Sequence, residues 1–230
     1  MDLHGAVCLV TGATSGIGRA TVAALIAEGA IVVPSGLEDA DLSSAGAAAH
    51  VAADALEQHG RVDVLVNCAG VGHYGRVEEA DAAKLFSVNV LAPIELAQTL
   101  LPGMRERRRG HVVNVGSIVG HVGRGNEAVY AATKAALAIF TESLRAELRG
   151  SGVSASLVTP TVVDTEFFAR RGVPYGRRPK PQSPERVAAA IVRAIHRDRA
   201  EVIVPRWVGL AVRVHGAAPG LFRALARRFD

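Results

Sequence analysis

Thr11-Gly12-Ala13-Thr14-Ser15-Gly16-Ile17-Gly18 follows a short apolar run, Ala6 to Val10, and leads into a segment of helical spacing, Gly16 to Glu28, that Gly29 stops. The glycines have separate tasks. Gly12 permits a tight turn, Gly16 lets backbone approach a phosphate, and Gly18 lets helix and strand pack closely. A helix beginning there presents unpaired N–H groups and a positive dipole end, which suits a pyrophosphate. The stretch predicts a strand–turn–helix corner that binds a dinucleotide, with Thr14, Ser15 and Ile17 completing the cradle.

Outward from this corner the same order repeats. Apolar runs at Ala30 to Val33, Val64 to Asn67, His111 to Val115, Ser154 to Thr159 and Glu201 to Val204 read as strands. Helical spacing occupies Ser43 to His59, with a Ser cap, then Ala82 to Met104, Asn126 to Arg149 and Pro184 to Arg197. The runs are continuous Val, Leu and Ile rather than alternating, as a parallel sheet buried on both faces requires. The expected fold is α/β, a doubly wound and mostly parallel sheet with helices on both faces, in one domain spanning 1–230. Ligands of such sheets bind beyond the carboxyl ends of the strands, where every special loop of this chain falls.

The 230 residues are 49% hydrophobic and 21% charged, which excludes disorder, collagen and a disulfide scaffold. Cys8 and Cys68 have no partner at metal-ligand spacing, so no metal is expected and free thiols in a reducing, cytoplasmic setting are. No leader and no uninterrupted apolar run of spanning length is visible. The net charge of +4 is scattered, and its densest cluster, Arg105 to Arg109, falls where a helix should end. That pattern speaks against nucleic acid as a partner.

Tyr130 and Lys134 lie four apart on a predicted helix and so share a face. An ammonium near a phenol favours the phenolate and lowers its pKa from ~10. A tyrosine so tuned gives or takes a proton at a carbonyl or alcohol oxygen. Ser117, ending the preceding strand, can hold that oxygen. With three Tyr and three Lys in the chain, random placement would yield about 0.04 such pairs.

With these motifs in order, the chain resembles the short-chain dehydrogenase/reductase family over nearly its whole length. The glycine turn matches the family's Thr-Gly-x-x-x-Gly-x-Gly. Asn67-Cys68-Ala69-Gly70 resembles its Asn-Asn-Ala-Gly, Asn89 its helix asparagine, and Pro160-Thr161-Val162-Val163-Asp164-Thr165 its Pro-Gly-x-x-x-Thr. The resemblance implies a Rossmann-like fold and hydride exchange between a nicotinamide cofactor and a secondary alcohol or ketone. It makes Tyr130 the acid/base, with Lys134 lowering its pKa and binding the nicotinamide ribose. Ser117 orients the substrate oxygen, and Asn89 holds a water in a proton relay. Pro160, Val163 and Thr165 fix the nicotinamide, and Asn67, Ala69 and Gly70 belong to the cofactor site. A homodimer or homotetramer is implied as well.

The chief departure follows the second strand. Only seven residues, Pro34 to Ala40, precede Asp41-Leu42, too few for a crossover helix and a returning strand. The usual third strand and its helix are expected to be missing, with Ser35, Asp41 and Leu42 left beside the adenine. An acid ending the second strand selects NAD and an Arg selects NADP; neither Ser35 nor Gly36 is acidic, which leans towards NADP over NAD. The shortened adenine side also motivates a rival reading, a catalytically weak nucleotide-binding or sensing protein on the same scaffold.

His73, Ile118, Val119, His121 and Thr161 are candidates for the substrate pocket. The segment from 161 to about 183 is too long for a simple connection and reads as a lid. Its Phe167, Phe168 and Tyr175 stand among Arg170, Arg171, Arg177, Arg178 and Lys180, a mixture that suits a hydrophobic carbonyl compound with an acidic handle. The tail 206–230 is amphipathic, with Leu210, Val214, Leu221, Phe222 and Leu225 among arginines. Packing on the protein ranks first for it, then a subunit contact, then a membrane surface, the last as part of a lipid enzyme.

Overall fold

The apolar runs become the strands of one parallel sheet in a computed structural model that describes residues 1–172, 180–218 and 220. In chain order the elements are β1 (Val7–Thr11), α1 (Gly16–Ala27), β2 (Ile31–Ser35), α2 (Ala47–His59), β3 (Val64–Asn67), α3 (Ala82–Phe86), α4 (Ala92–Glu106) and β4 (Gly110–Val115). There follow α5 (Ala128–Glu147), β5 (Val153–Pro160), α6 (Phe167–Arg170), α7 (Pro184–Arg197), β6 (Glu201–Val204) and α8 (Val208–Ala217). The spatial order is β2-β1-β3-β4-β5-β6, every neighbour parallel.

Alternate side chains of each strand feed two cores. Val10, Val66, Val113 and Val158 pack under α1 and α7 with Leu25, Ile191 and Ile195. Leu9, Leu65, Val112 and Ala155 pack on the other face under α2, α4 and α5 with Leu96, Leu100 and Leu144. This is the doubly wound α/β arrangement, and the winding reverses between β1 and β3, so the crevice opens beyond their carboxyl ends.

The expected loss of an outer strand and helix is what the sheet shows. β2 is its edge, carrying Pro34 where an interior strand would not tolerate one. From Ser35 the chain passes directly over the strand ends into α2.

Several boundaries differ from expectation. Ser43 does not cap a helix: Asp41 Oδ1 accepts from its N–H at 2.9 Å and its hydroxyl at 2.7 Å, a local turn that competes with helix. The helix begins instead at Ala47, behind Gly46 in the left-handed region. The segment expected as a single helix from Ala82 is interrupted by a π turn over Ser87–Leu91. By length and composition alone Ala82–Glu106 would span a membrane, but half of its apolar window is buried, as in a core helix. The tail is helical over Val208–Ala217, with Trp207 and Leu210 exposed. Leu221, Phe222, Leu225, Tyr175, Arg177 and Arg178 lie outside the described residues.

Candidate active site

At the carboxyl edge of the sheet a cleft of about 610 Å³ collects nearly all the special loops. Its floor is the glycine turn. Gly12 has φ +65°, and a Cβ there would stand 2.8 Å from Ala69 backbone. The Thr11 hydroxyl accepts from the N–H groups of Cys68 and Ala69, both at 3.1 Å, tying the turn to the end of β3. A Cβ on Gly18 would overlap the Gly12 carbonyl oxygen. At the start of α1, Ser15 makes no side-chain cap and the first turn holds no acid, so the helix end keeps its positive character. Backbone this bare, at a helix of twelve residues, fits the pyrophosphate of a dinucleotide.

Further along the cleft lie Ser35, Gly36, Asp41 and Leu42, the expected adenosine end. Asp39, which the sequence reading passed over, folds back so that its carboxylate accepts from Gly36 N–H at 2.6 Å. Its spacing from the glycine turn, about twenty residues, was the available signal.

Ser117, Tyr130 and Lys134 converge at the other end, all lining the cleft. Ser117 caps a single 3-10 turn, Ile118–Gly120. A Cβ on Gly120 would stand 2.7 Å from Lys134 backbone, so that glycine lets the turn lie against α5 and brings serine to tyrosine. The Tyr130 phenol is pushed up to about 12, chiefly by burial; Glu127 raises it further, while hydrogen bonding to Ser117 and the charge of Arg171 pull it down.

Lys134 is not among the causes of that shift. Its Nζ sits 5.9 Å from the Tyr130 ring centre and donates to the Val115 carbonyl at 3.0 Å. Burial lowers the ammonium to about 8. Burial is thus the largest influence on the phenol, and one of the three donors of Lys134 is used on a backbone oxygen.

Two asparagines also differ from expectation. Asn67 points into the sheet, its Nδ2 donating to Asn114 Oδ1 at 2.8 Å, and does not line the cleft. Asn89, on the π turn, is buried. Its Oδ1 accepts from Val71 N–H and its Nδ2 donates to the Val71 carbonyl and the Thr133 hydroxyl. That side chain pins the loop after β3, and its Oδ1 keeps a second lone pair.

His121 turns away to Glu201 Oε1 at 3.0 Å and does not line the cleft. Thr14, Ile17, Ala69, Gly70, His73, Ile118, Val119, Pro160, Thr161, Val163 and Thr165 do line it. The segment expected as a lid has its two ends joined, Gln182 N–H donating to the Val162 carbonyl and Asp164 N–H to that of Gln182. Between them Phe167 packs its ring 5.6 Å from that of Tyr130. The buried pair Arg171–Glu127, at 3.0 Å, was also unforeseen; Glu127 sits beside Tyr130 in sequence, but its partner is 44 residues away.

The short chain dehydrogenase family model matches residues 37–173. The ketoacyl reductase HetN of Nostoc sp. is 36% identical over 88% of this chain and 79% of its own. A short-chain dehydrogenase/reductase of Burkholderia phymatum, solved with NAD, superposes with a TM-score of 0.81 at 26% identity, covering 96% of each chain. A short-chain dehydrogenase of Burkholderia cenocepacia, solved with NADP, gives 0.82 at 26% identity, covering 99% of this chain and 98% of that one.

Proposed function

Since the chain belongs to the short-chain dehydrogenase/reductase family of oxidoreductases, we propose that it reduces a ketone, or oxidises the matching secondary alcohol, by the Ser117–Tyr130–Lys134 route. One observation carries the proposal: these three side chains line one end of a cleft whose floor is the glycine turn that suits a pyrophosphate. When bound, a nicotinamide would supply or accept the hydride. The glycine turn and the start of α1 would hold its pyrophosphate, and Val163 and Thr165 its carboxamide.

The chain's own residues handle the oxygen and the proton. Ser117 Oγ and Tyr130 Oη face the same point and receive the carbonyl oxygen between them. Tyr130, neutral by burial, donates its proton as charge develops on that oxygen. Lys134, lowered to about 8, exchanges protons near neutral pH and restores the phenol. Asn89 is a positioning residue that holds the loop at Val71. Phe167, Phe168 and Ile118 offer the substrate an apolar wall. Phe86, Leu91 and Ile139, exposed on α3, the π turn and α5, support assembly into a homo-oligomer.

For the cofactor we propose NAD over NADP, reversing the lean of the sequence reading. Asp39, four residues beyond β2 and not itself lining the cleft, holds its carboxylate against Gly36 N–H; an acid close to the adenosine end favours ribose hydroxyls and repels a 2′-phosphate. Fluorescence titration of NADH and NADPH into the protein tests this. Tighter NADH binding, by about tenfold for one repelled phosphate, is expected, and Asp39→Ser should narrow the gap. Equal or tighter NADPH binding would remove the preference, and no binding of either would remove the enzyme reading.

A further inference from the structure

The short helix α6 crosses the mouth of the cleft, and the two arginines at its end reach opposite walls. Arg171 turns inward to Glu127, and the pair is about 95% buried, at 5% and 4% exposure. The Arg171 guanidinium carbon lies 4.5 Å from the Phe168 ring centre and 5.1 Å from that of Tyr74. That end of the strap is fastened to the head of the catalytic helix α5.

Arg170 turns the other way. Its Nη1 donates to the Ser15 hydroxyl at 3.3 Å, across 155 residues of chain. Ser15 is the cap position of α1, at the centre of the phosphate cradle. Beside this bond the Thr165 methyl carbon stands 2.9 Å from where a Cβ on Gly16 would be. Residues 165–171 therefore lie directly over the cradle, with a guanidinium aimed at it. The other Arg170 nitrogen meets Glu166 Oε2 at 2.5 Å, and both side chains are mostly exposed, so the arginine can swing.

We propose that Arg170 is a pyrophosphate-binding residue of the strap 165–171, so that a bound dinucleotide holds the strap in place over itself. This rests on the dinucleotide reading above. The bond to Ser15 joins a cation to a neutral hydroxyl. A phosphate at the same place offers a charged acceptor matched to the guanidinium fork, and such bonds are about twice as strong. A pyrophosphate carries two negative charges against the single one of Glu166, so Arg170 exchanges partners. Arg171, pinned to Glu127 and stacked on Phe168, keeps the strap in place while Arg170 changes partner, and Phe167 stays packed beside Tyr130.

The test is binding, measured without turnover. NADH, ADP and adenosine are titrated at low salt into the wild-type protein, Arg170→Ala and Glu166→Gln. Arg170→Ala should weaken NADH and ADP by roughly three- to tenfold, as loss of one exposed charge-assisted bond, and leave adenosine unchanged. Glu166→Gln, which frees the arginine, should tighten NADH and ADP. Thermal melts of both unliganded variants should match the wild type. Undiminished ADP binding by Arg170→Ala, equal weakening of ADP and adenosine, or weaker binding by Glu166→Gln would overturn the proposal while the cofactor reading stands. A wild-type protein that takes up neither NADH nor NADPH would overturn both.

Discussion

Tyr130→Phe is expected to lower ketone reduction by about 10³-fold, the usual worth of a positioned general acid, with NADH binding unchanged. The variant removes one oxygen atom and keeps the ring that packs on Phe167, so it should fold as the wild type does. What disappears is the phenol O–H that meets the Ser117 hydroxyl within the cleft. Without it, negative charge on the substrate oxygen has only Ser117 to meet it. Burial raises the phenol to about 12 in the free protein, so it is protonated at neutral pH and in the reduction direction it is the acid. Steady-state rates with a ketone that the wild type reduces, alongside NADH titration, separate the two effects. Unchanged turnover with Phe at this position would exclude the mechanism.

Gly18→Ala should be the most damaging change in the cradle. Its methyl would be driven into the Gly12 carbonyl, with the carbonyl carbon only 2.7 Å away and Ala13 Cα at 3.2 Å. These are backbone atoms and cannot rotate aside. Overpacking of this kind costs about 1–3 kcal/mol and can exceed that where backbone must move. For a chain of this size that corresponds to a fall in melting temperature of about 2–4 °C per kcal/mol. The displacement would also spread the turn that faces the pyrophosphate, so NADH affinity should fall with stability. Gly125→Ala serves as the control, because nothing lies within 4 Å of a Cβ there. Thermal melts and NADH titration of both variants check the pair of effects.

The parts of the site that sequence exposes are those carried by short-range chemistry. The glycine turn is legible because each glycine answers a local steric demand, and Tyr130 with Lys134 because four residues make one helical turn. The missing outer strand could be read from chain length alone, since Pro34 to Ala40 cannot make a crossover. The rest depends on distance through the fold. Asn89 shows as a helix residue, but its use in pinning Val71 appears only once the loop after β3 is placed. Lys134 sits where its spacing puts it, yet the Val115 carbonyl competes for its ammonium. Burial, which no spacing reports, reverses the direction in which the phenol moves. Arg171 and Glu127 belong to separate segments, and only the strap's path over the cleft joins them.

The most direct measurement is the fate of the hydride. NADH deuterated at the transferable C4 position is mixed with the protein and a prochiral ketone that it consumes in a carbonyl panel, and the product alcohol is analysed. The account predicts deuterium on the new carbinol carbon, in a single enantiomer, because the cleft presents one face of the carbonyl beside Tyr130. An alcohol free of label, or a racemic one, would contradict it.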